Sequence, residues 1–278
     1  MSAQQHVIIT GGSSGIGKET AKLYAQSGAD VTIIARRMDI LQSAKPEIDA
    51  MRAAGGTGRT QVFSADVSDR AAITDALDQA IAQAGVPDIL ITSAGIAIPG
   101  YFEDIEPESF ERHMAVNYFG TVYALKAVLP AMRKRGSGRV VLVSSGAGLI
   151  GIFGYCPYSP TKFALRGLAE SLRGELKRDG VGVSIVYPPD TDTPQLHTEN
   201  LTKPDETKAM TGTAKMWEAK GVAEKIVKDI ERGKFSITPG WEMTWLARLH
   251  SLIRPVLDWE FDRLARKAQK AAGKSGTA

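Results

Sequence analysis

Residues 6–17 read HVIITGGSSGIG. The first five, HVIIT, form a short run with no polar alternation. Such a run reads as a strand buried on both faces, as in a parallel sheet. It stops at glycines, which tolerate positive φ and let a backbone approach a ligand closely. A helical pattern starts inside the same turn, and a helix N-terminus offers free N–H groups and partial positive charge to a phosphate. The stretch is therefore either a nucleotide-binding turn or a tight strand-to-helix connection. The rest of the chain has to separate the two.

Runs like HVIIT recur at 29–36 (ADVTIIAR), 59–66 (RTQVFSAD), 88–95 (DILITSAG), 138–145 (GRVVLVSS) and 181–188 (VGVSIVYP). Helical patterns fill 15–27, 39–53, 69–84, 107–135 and 158–179 between them. Strand and helix alternating six times is the pattern of an α/β, Rossmann-type doubly wound parallel sheet. A seventh short strand is expected at KFSIT (234–238), after a helix near 221–232. This places one domain over 1–240. A glycine turn after the first strand of such an alternation favours nucleotide binding.

The chain's 278 residues suffice for a sizeable core, and 43% hydrophobic with 23% charged residues is ordinary for a globular protein. A net charge of +3 with no basic stripe gives no nucleic-acid signal. The single cysteine, Cys156, leaves no internal disulfide and fits a reducing compartment. The N-terminus carries no basic segment followed by an apolar one, so no secretory signal is expected. No apolar run reaches 18 residues, so no ordinary spanning helix is expected either. The expected location is cytoplasmic, with a peripheral site on a membrane as the alternative.

The end of the second strand chooses the nucleotide. An acid there holds the ribose 2′-hydroxyl of NAD, whereas arginine suits the 2′-phosphate of NADP. The sequence is IIARRMD: Ala35 stands where the acid would, followed by Arg36 and Arg37. A guanidinium matches a phosphate in charge and fork geometry, and Ser13 adds a hydroxyl from the glycine turn. NADPH/NADP is the expected cofactor. Asp66 suits either an adenine amino group or the cap of the helix beginning near Ser68.

Tyr158 and Lys162 lie four apart in YSPTK, on one face of a helix. A lysine ammonium beside a phenol favours the phenolate and lowers its pKa toward neutrality, where general acid catalysis works best. Ser144 and Ser145 end the fifth strand, at the ligand-binding side of such a sheet. A serine hydroxyl there stabilises charge growing on a carbonyl oxygen. Singly, these residues also read as a surface pair and a helix cap.

TGGSSGIG (10–17), TSAG (92–95), Asn117 in AVNYFG, SSGAG (144–148), YSPTK and the turn YPPDTDTP (187–194) fall in the order and spacing of the short-chain dehydrogenase/reductase superfamily, which the chain resembles over residues 5–240. The resemblance implies a nicotinamide cofactor and a catalytic group of Asn117, Ser145, Tyr158 and Lys162. Ser145 is implied over Ser144 because it lies thirteen residues before Tyr158. Tyr158 would protonate a carbonyl, Lys162 would also hold the nicotinamide ribose, and Asn117 would anchor a water feeding protons to the lysine. The implied cofactor contacts are Gly11, Ser13, Ser14, Gly15, Ile16, Gly17, Arg36, Arg37, Asp66, Val67, Ala94, Gly95, Tyr158, Lys162, Pro188, Thr191 and Thr193. No metal is implied, and a homo-oligomer, dimer or tetramer, is.

Two positions depart from the superfamily pattern. Thr92 replaces the asparagine that steadies the central sheet, and Pro188-Pro189 replaces Pro-Gly, stiffening the turn. Asp190 and Asp192 read as turn-stabilising residues bonded to their own backbone. YPPDTDTP with ENLTKPDET (199–207), GYFEDIEPESFERHMAVNYFGTVYA (100–124) and FGYCPYSPTKFALRGLAESL (153–172) resemble the 3-ketodihydrosphingosine reductases within the superfamily. That likeness implies a lipid-like ketone substrate, 3-ketosphinganine. Other apolar ketones or alcohols (a steroid, retinoid or acyl chain) and a non-catalytic NADP-sensing regulator are the competing readings.

Residues 194–220 read as a substrate lid or as an exposed loop with one or two short helices. Residues 241–278 read as an amphipathic helical extension and basic tail. In 241–264, WEMTWLARLHSLIRPVLDWEFDRL, three tryptophans, leucines and an isoleucine are interleaved with arginines, and Pro255 interrupts the pattern. The stretch suits peripheral membrane contact, a partner subunit or the rim of the substrate pocket. The end, AAGKSGTA (271–278), has the composition of a disordered tail.

Overall fold

The computed structural model describes residues 4–211 and 216–275. The first half runs β1 (His6–Thr10), α1 (Gly15–Gln26), β2 (Asp30–Ala35), α2 (Met38–Asp49), β3 (Thr60–Ser64), α3 (Arg70–Ala84), β4 (Ile89–Thr92), α4 (Pro107–His113) and α5 (Gly120–Arg135). The second runs β5 (Gly138–Val143), α6 (Ser159–Lys177), β6 (Val181–Val186), β7 (Thr191–Asp192), α7 (Pro194–Glu199), α8 (Asp205–Thr211), β8 (Trp217–Glu218), α9 (Ala219–Glu231), β9 (Ser236–Ile237) and α10 (Trp241–Ser275).

Seven strands form one sheet in the order β3-β2-β1-β4-β5-β6-β9, and every neighbouring pair is parallel. Successive residues of a strand point to opposite faces, and the core follows that rule. Val7 and Ile9 of β1 join Ala21, Leu41 and Ile226, under α1, α2 and α9. Ile8 between them joins Leu77, Val128 and Leu165, under α3, α5 and α6. Each fully buried isoleucine or leucine contributes about 1.5–3 kcal/mol. This doubly wound sandwich is what the apolar runs imply, including the short seventh strand β9.

Three local expectations are corrected. The helix expected at 107–135 is interrupted by a π turn over Met114–Phe119. The turn carries Asn117, and such turns tend to sit at functional sites. Pro255 lies inside α10 without ending it. The tail expected to be disordered is helical as far as Ser275, while 276–278 lie outside the described residues. The segment 194–220 holds the two short helices allowed for it: α7 and α8 bury Leu196, Glu199, Glu206, Thr207 and Met210, and β8 pairs with β7. Residues 212–215 of the expected lid lie outside the described residues.

Candidate active site

The strand order reverses between β1 and β4, and ligands of open parallel sheets bind at the carboxyl ends beside such a switch. A cleft of about 320 Å³ opens there. Gly11, Ser13, Ser14, Gly15, Ile16 and Gly17 line it from the turn after β1, and Arg36 and Arg37 from the turn after β2. Asp66 and Val67 follow β3, and Ala94 and Gly95 follow β4. Ser145, Tyr158 and Lys162 form the next wall, and Pro188, Thr191 and Thr193 the last. Of the sequence-predicted site residues, only Asn117 does not line the cleft.

The glycine turn fits a dinucleotide pyrophosphate. Gly11 has φ +72°, and a Cβ on it would stand 2.6 Å from the Ala94 nitrogen. The turns after β1 and β4 are pressed together there. A Cβ on Gly17 would stand 2.3 Å from the Gly11 carbonyl oxygen. Ser14 occupies the N-cap of α1 without a side-chain cap, so the first-turn N–H groups remain open to a phosphate. Arg36 is half-exposed and lies 3.9 Å from Asp66. Asp66 accepts from the Ser68 amide at 2.9 Å and hydroxyl at 2.7 Å through one oxygen. It does not cap α3; Asp69 does, accepting from Ala71 and Ala72.

Tyr158 is buried where α6 begins. Its phenol is pushed up, not down: burial dominates, Glu199 and Asp190 add negative field, and only a hydrogen bond with Ser145 opposes them. The lysine effect expected from YSPTK is absent from this balance. Lys162 lies 5.4 Å from the Tyr158 ring centroid and donates to the Val143 carbonyl at 3.0 Å. Burial pushes Lys162 down to about 8, while Glu199 opposes. The result is a neutral phenol able to donate and an ammonium close to its titration point.

The two serines separate cleanly. Ser144 is buried and donates to the Lys162 carbonyl at 3.0 Å, tying β5 to α6. Ser145 is more open; its hydroxyl accepts from the Ala147 amide at 3.2 Å, and it is the group that draws the Tyr158 pKa down. Asn117 is fully buried. Its amide donates to the Ile96 carbonyl and to Thr161 Oγ1, each at 3.0 Å, and its Oδ1 accepts from the Ile96 amide at 2.8 Å. It clamps the chain leaving β4 against α6. Both donors of the side-chain amide are thereby used within the protein. The Thr92 hydroxyl makes, among the described residues, only a long bond, 3.4 Å, to the Val141 carbonyl.

The rigid turn after β6 is fixed to its neighbour by the Gly146 amide donating to the Pro188 carbonyl at 3.0 Å. Thr193 caps α7, its hydroxyl accepting from Leu196 at 3.2 Å. The turn-stabilising reading of the aspartates is corrected. Asp192 pairs with His197 at 2.8 Å, and Asp190 lines the cleft with no side-chain hydrogen bond among the described residues. Sequence reasoning missed two further cleft residues, Tyr155 and Glu199. Tyr155 donates to Glu199 at 2.6 Å and its ring lies 5.6 Å from that of Tyr158. The signal was a tyrosine three residues before YSPTK, but nothing local to Glu199 placed it inside.

Residues 5–204 match the family model described as short chain dehydrogenase. The chain belongs to this family of oxidoreductases, whose cofactor is a nicotinamide nucleotide. Among relatives, it is 44% identical to the 3-ketodihydrosphingosine reductase of Bos taurus, across 90% of this chain and 76% of the relative. It is 42% identical to the 3-dehydrosphinganine reductase of Danio rerio over the same shares. Among solved structures, a short-chain dehydrogenase from Streptomyces avermitilis superposes with a TM-score of 0.76 at 26% identity, covering 95% of this chain and 98% of that one. ElxO with NADP bound has the same fold, with a TM-score of 0.73 at 24% identity over 86% and 98% of the two chains.

Proposed function

We propose that this enzyme reduces the 3-keto group of 3-ketosphinganine to the alcohol of sphinganine, using NADPH. The observation that carries the reading is the convergence of Ser145, Tyr158 and Lys162 on the cleft that the glycine turn opens. Relatives that span nearly the whole chain and carry the name of this reductase supply the substrate.

The residues divide the work as follows. Ser145 holds the substrate's carbonyl oxygen beside the Tyr158 hydroxyl, and Tyr158 gives its proton to that oxygen as negative charge grows there. Lys162, fixed to the Val143 carbonyl, lines the cleft beside Tyr158, where it would hold the nicotinamide ribose. Asn117 acts as a positioning residue, holding the turn after β4 to the helix that carries Tyr158 and Lys162. Gly11, Gly15 and Gly17 admit the pyrophosphate, and Arg36 and Arg37 face the adenosine 2′-phosphate. When bound, the dihydronicotinamide supplies the hydride.

A long-chain substrate resides in membranes, and α10 is built to reach one. No helix among the described residues is long and apolar enough to cross a membrane. Trp241, Trp245, Leu252, Val256 and Trp259 are all exposed, and their spacings of 4, 7, 4 and 3 put them on one side of α10. Met243, Leu246 and Ala247 pack on the core from the other side. Tryptophans with Arg248 and Arg263 nearby suit the headgroup layer of an anionic bilayer.

The deciding experiment follows NADPH oxidation with 3-ketosphinganine against a panel of short ketones and steroids. The expected result is a clear preference for the long-chain amino ketone. Equal rates across the panel would remove the substrate and leave the reductase; no oxidation with any member would remove both.

A further inference from the structure

Two carboxylates stand in the cleft that the hydride chemistry of the family does not need. Glu199 closes α7 and is 8% exposed. It is held in place by Tyr155 at 2.6 Å and by the Gln195 amide at 2.8 Å. The Tyr155 ring lies tilted against that of Tyr158, so Glu199 lies one ring away from the proton donor. Asp190 comes from the stiff turn after β6 and makes neither a hydrogen bond nor an ion pair through its side chain among the described residues. Burial raises the carboxyl pKa of both. Lys203, the cation that lowers both, sits behind Tyr155, 6.0 Å from its ring centroid, and does not line the cleft. Lys162 faces Glu199 too, but its ammonium is turned to the Val143 carbonyl.

Buried carboxylates are costly unless a cation or donors meet them. A cleft for a plain ketone, steroid or acyl chain gains nothing from two of them beside its proton donor. An ammonium on the carbon next to the carbonyl would sit within the same few ångströms of Tyr158 and would favour their ionised forms. Resting on the substrate reading above, we infer that Asp190 and Glu199 form the seat for the substrate's primary ammonium, making the enzyme selective for α-amino ketones. Asp190 supplies the open acceptor, and Glu199, fixed by Tyr155 and Gln195, supplies the rigid one.

The test compares 3-ketosphinganine with its N-acetyl derivative, which keeps the ketone and chain and loses the charge. The wild-type enzyme is expected to favour the free amine by roughly ten- to hundredfold in kcat/KM, the range of a charge-assisted hydrogen bond. In Asp190→Asn and Glu199→Gln that preference should collapse toward unity, with the change mainly in KM for the amine, while Glu199→Asp restores part of it. Asp190→Asn has no side-chain bond to lose, so it decides the matter if Glu199→Gln does not fold. Equal use of the two substrates by wild type would overturn the inference and leave the reductase standing. So would variants that lower both substrates in proportion. Failure of wild type on both would instead strike the substrate reading itself.

Discussion

The Lys162 ammonium donates to the Val143 carbonyl oxygen at 3.0 Å, from inside the protein. Burial there lowers its pKa from 10.5 to about 8. Between those values the unfolded chain binds more protons than the folded one, so stability rises as pH climbs from about 8 to 10.5. Below about pH 8 the buried charge is a standing cost, on the order of 2–4 kcal/mol before the bond to Val143 is credited. Lys162→Met should therefore melt at the wild-type temperature or a few degrees above it at pH 7, while losing nearly all turnover. Calorimetry at pH 7 and pH 9.5 checks it: the variant's advantage should shrink at the higher pH. A large drop in melting temperature at pH 7 would contradict it.

Tyr158→Phe removes the proton donor and leaves the ring that packs on Tyr155. Loss of a general acid costs roughly 10²–10⁴ in rate. The expected outcome is a fall in kcat of that size with NADPH still bound, read as quenching of protein fluorescence or as a retained shift in melting temperature with NADPH. A regulator that only senses the nucleotide would keep its output in this variant. Ser145→Ala should follow the same pattern with a smaller loss, because it removes a partner of the carbonyl oxygen and leaves the proton donor.

Arg36 and Arg37 are exposed, so their contribution to cofactor choice is sensitive to salt. The double change to alanine should raise the KM for NADPH about tenfold or more and leave that for NADH within about twofold. Initial rates at low and at 0.5 M salt give the comparison, and salt should narrow the wild-type preference. An equal loss for both nucleotides would show that the arginines hold the fold and not the 2′-phosphate.

Much of this arrangement was legible in the residues. The apolar runs give the sheet because strands buried on both faces cannot alternate, and the glycine turn gives the cleft because only glycine fits against Ala94. Tyr158 and Lys162 read as a pair because helical spacing is local. What escaped was non-local. Tyr158 is kept neutral by burial, and by the added negative field of Glu199 and Asp190, which arrive from beyond β6. The π turn carries Asn117 to hydrogen bonds with Ile96 and Thr161, and no pattern in AVNYFG announces that. Asp69 rather than Asp66 caps α3 because the helix starts at Arg70, which puts Asp69 at the N-cap.

The exposed side of α10 makes the last prediction. Trp245, Leu252 and Trp259 are each more than half exposed, and nothing among the described residues covers them. Exposed apolar rows of this kind mark an interaction surface, and the tryptophans and arginines favour a lipid headgroup layer. Changing all three to serine should leave the melting temperature and the rate on a detergent-dispersed substrate near wild type, since the opposite side of the helix supplies its packing. Co-sedimentation with vesicles containing anionic lipid should drop sharply, and binding of the wild type should weaken with salt because of the arginines. If wild type stays in the supernatant but sediments as a larger particle than the variant in the ultracentrifuge, the row is a contact between copies of the chain and the membrane reading fails.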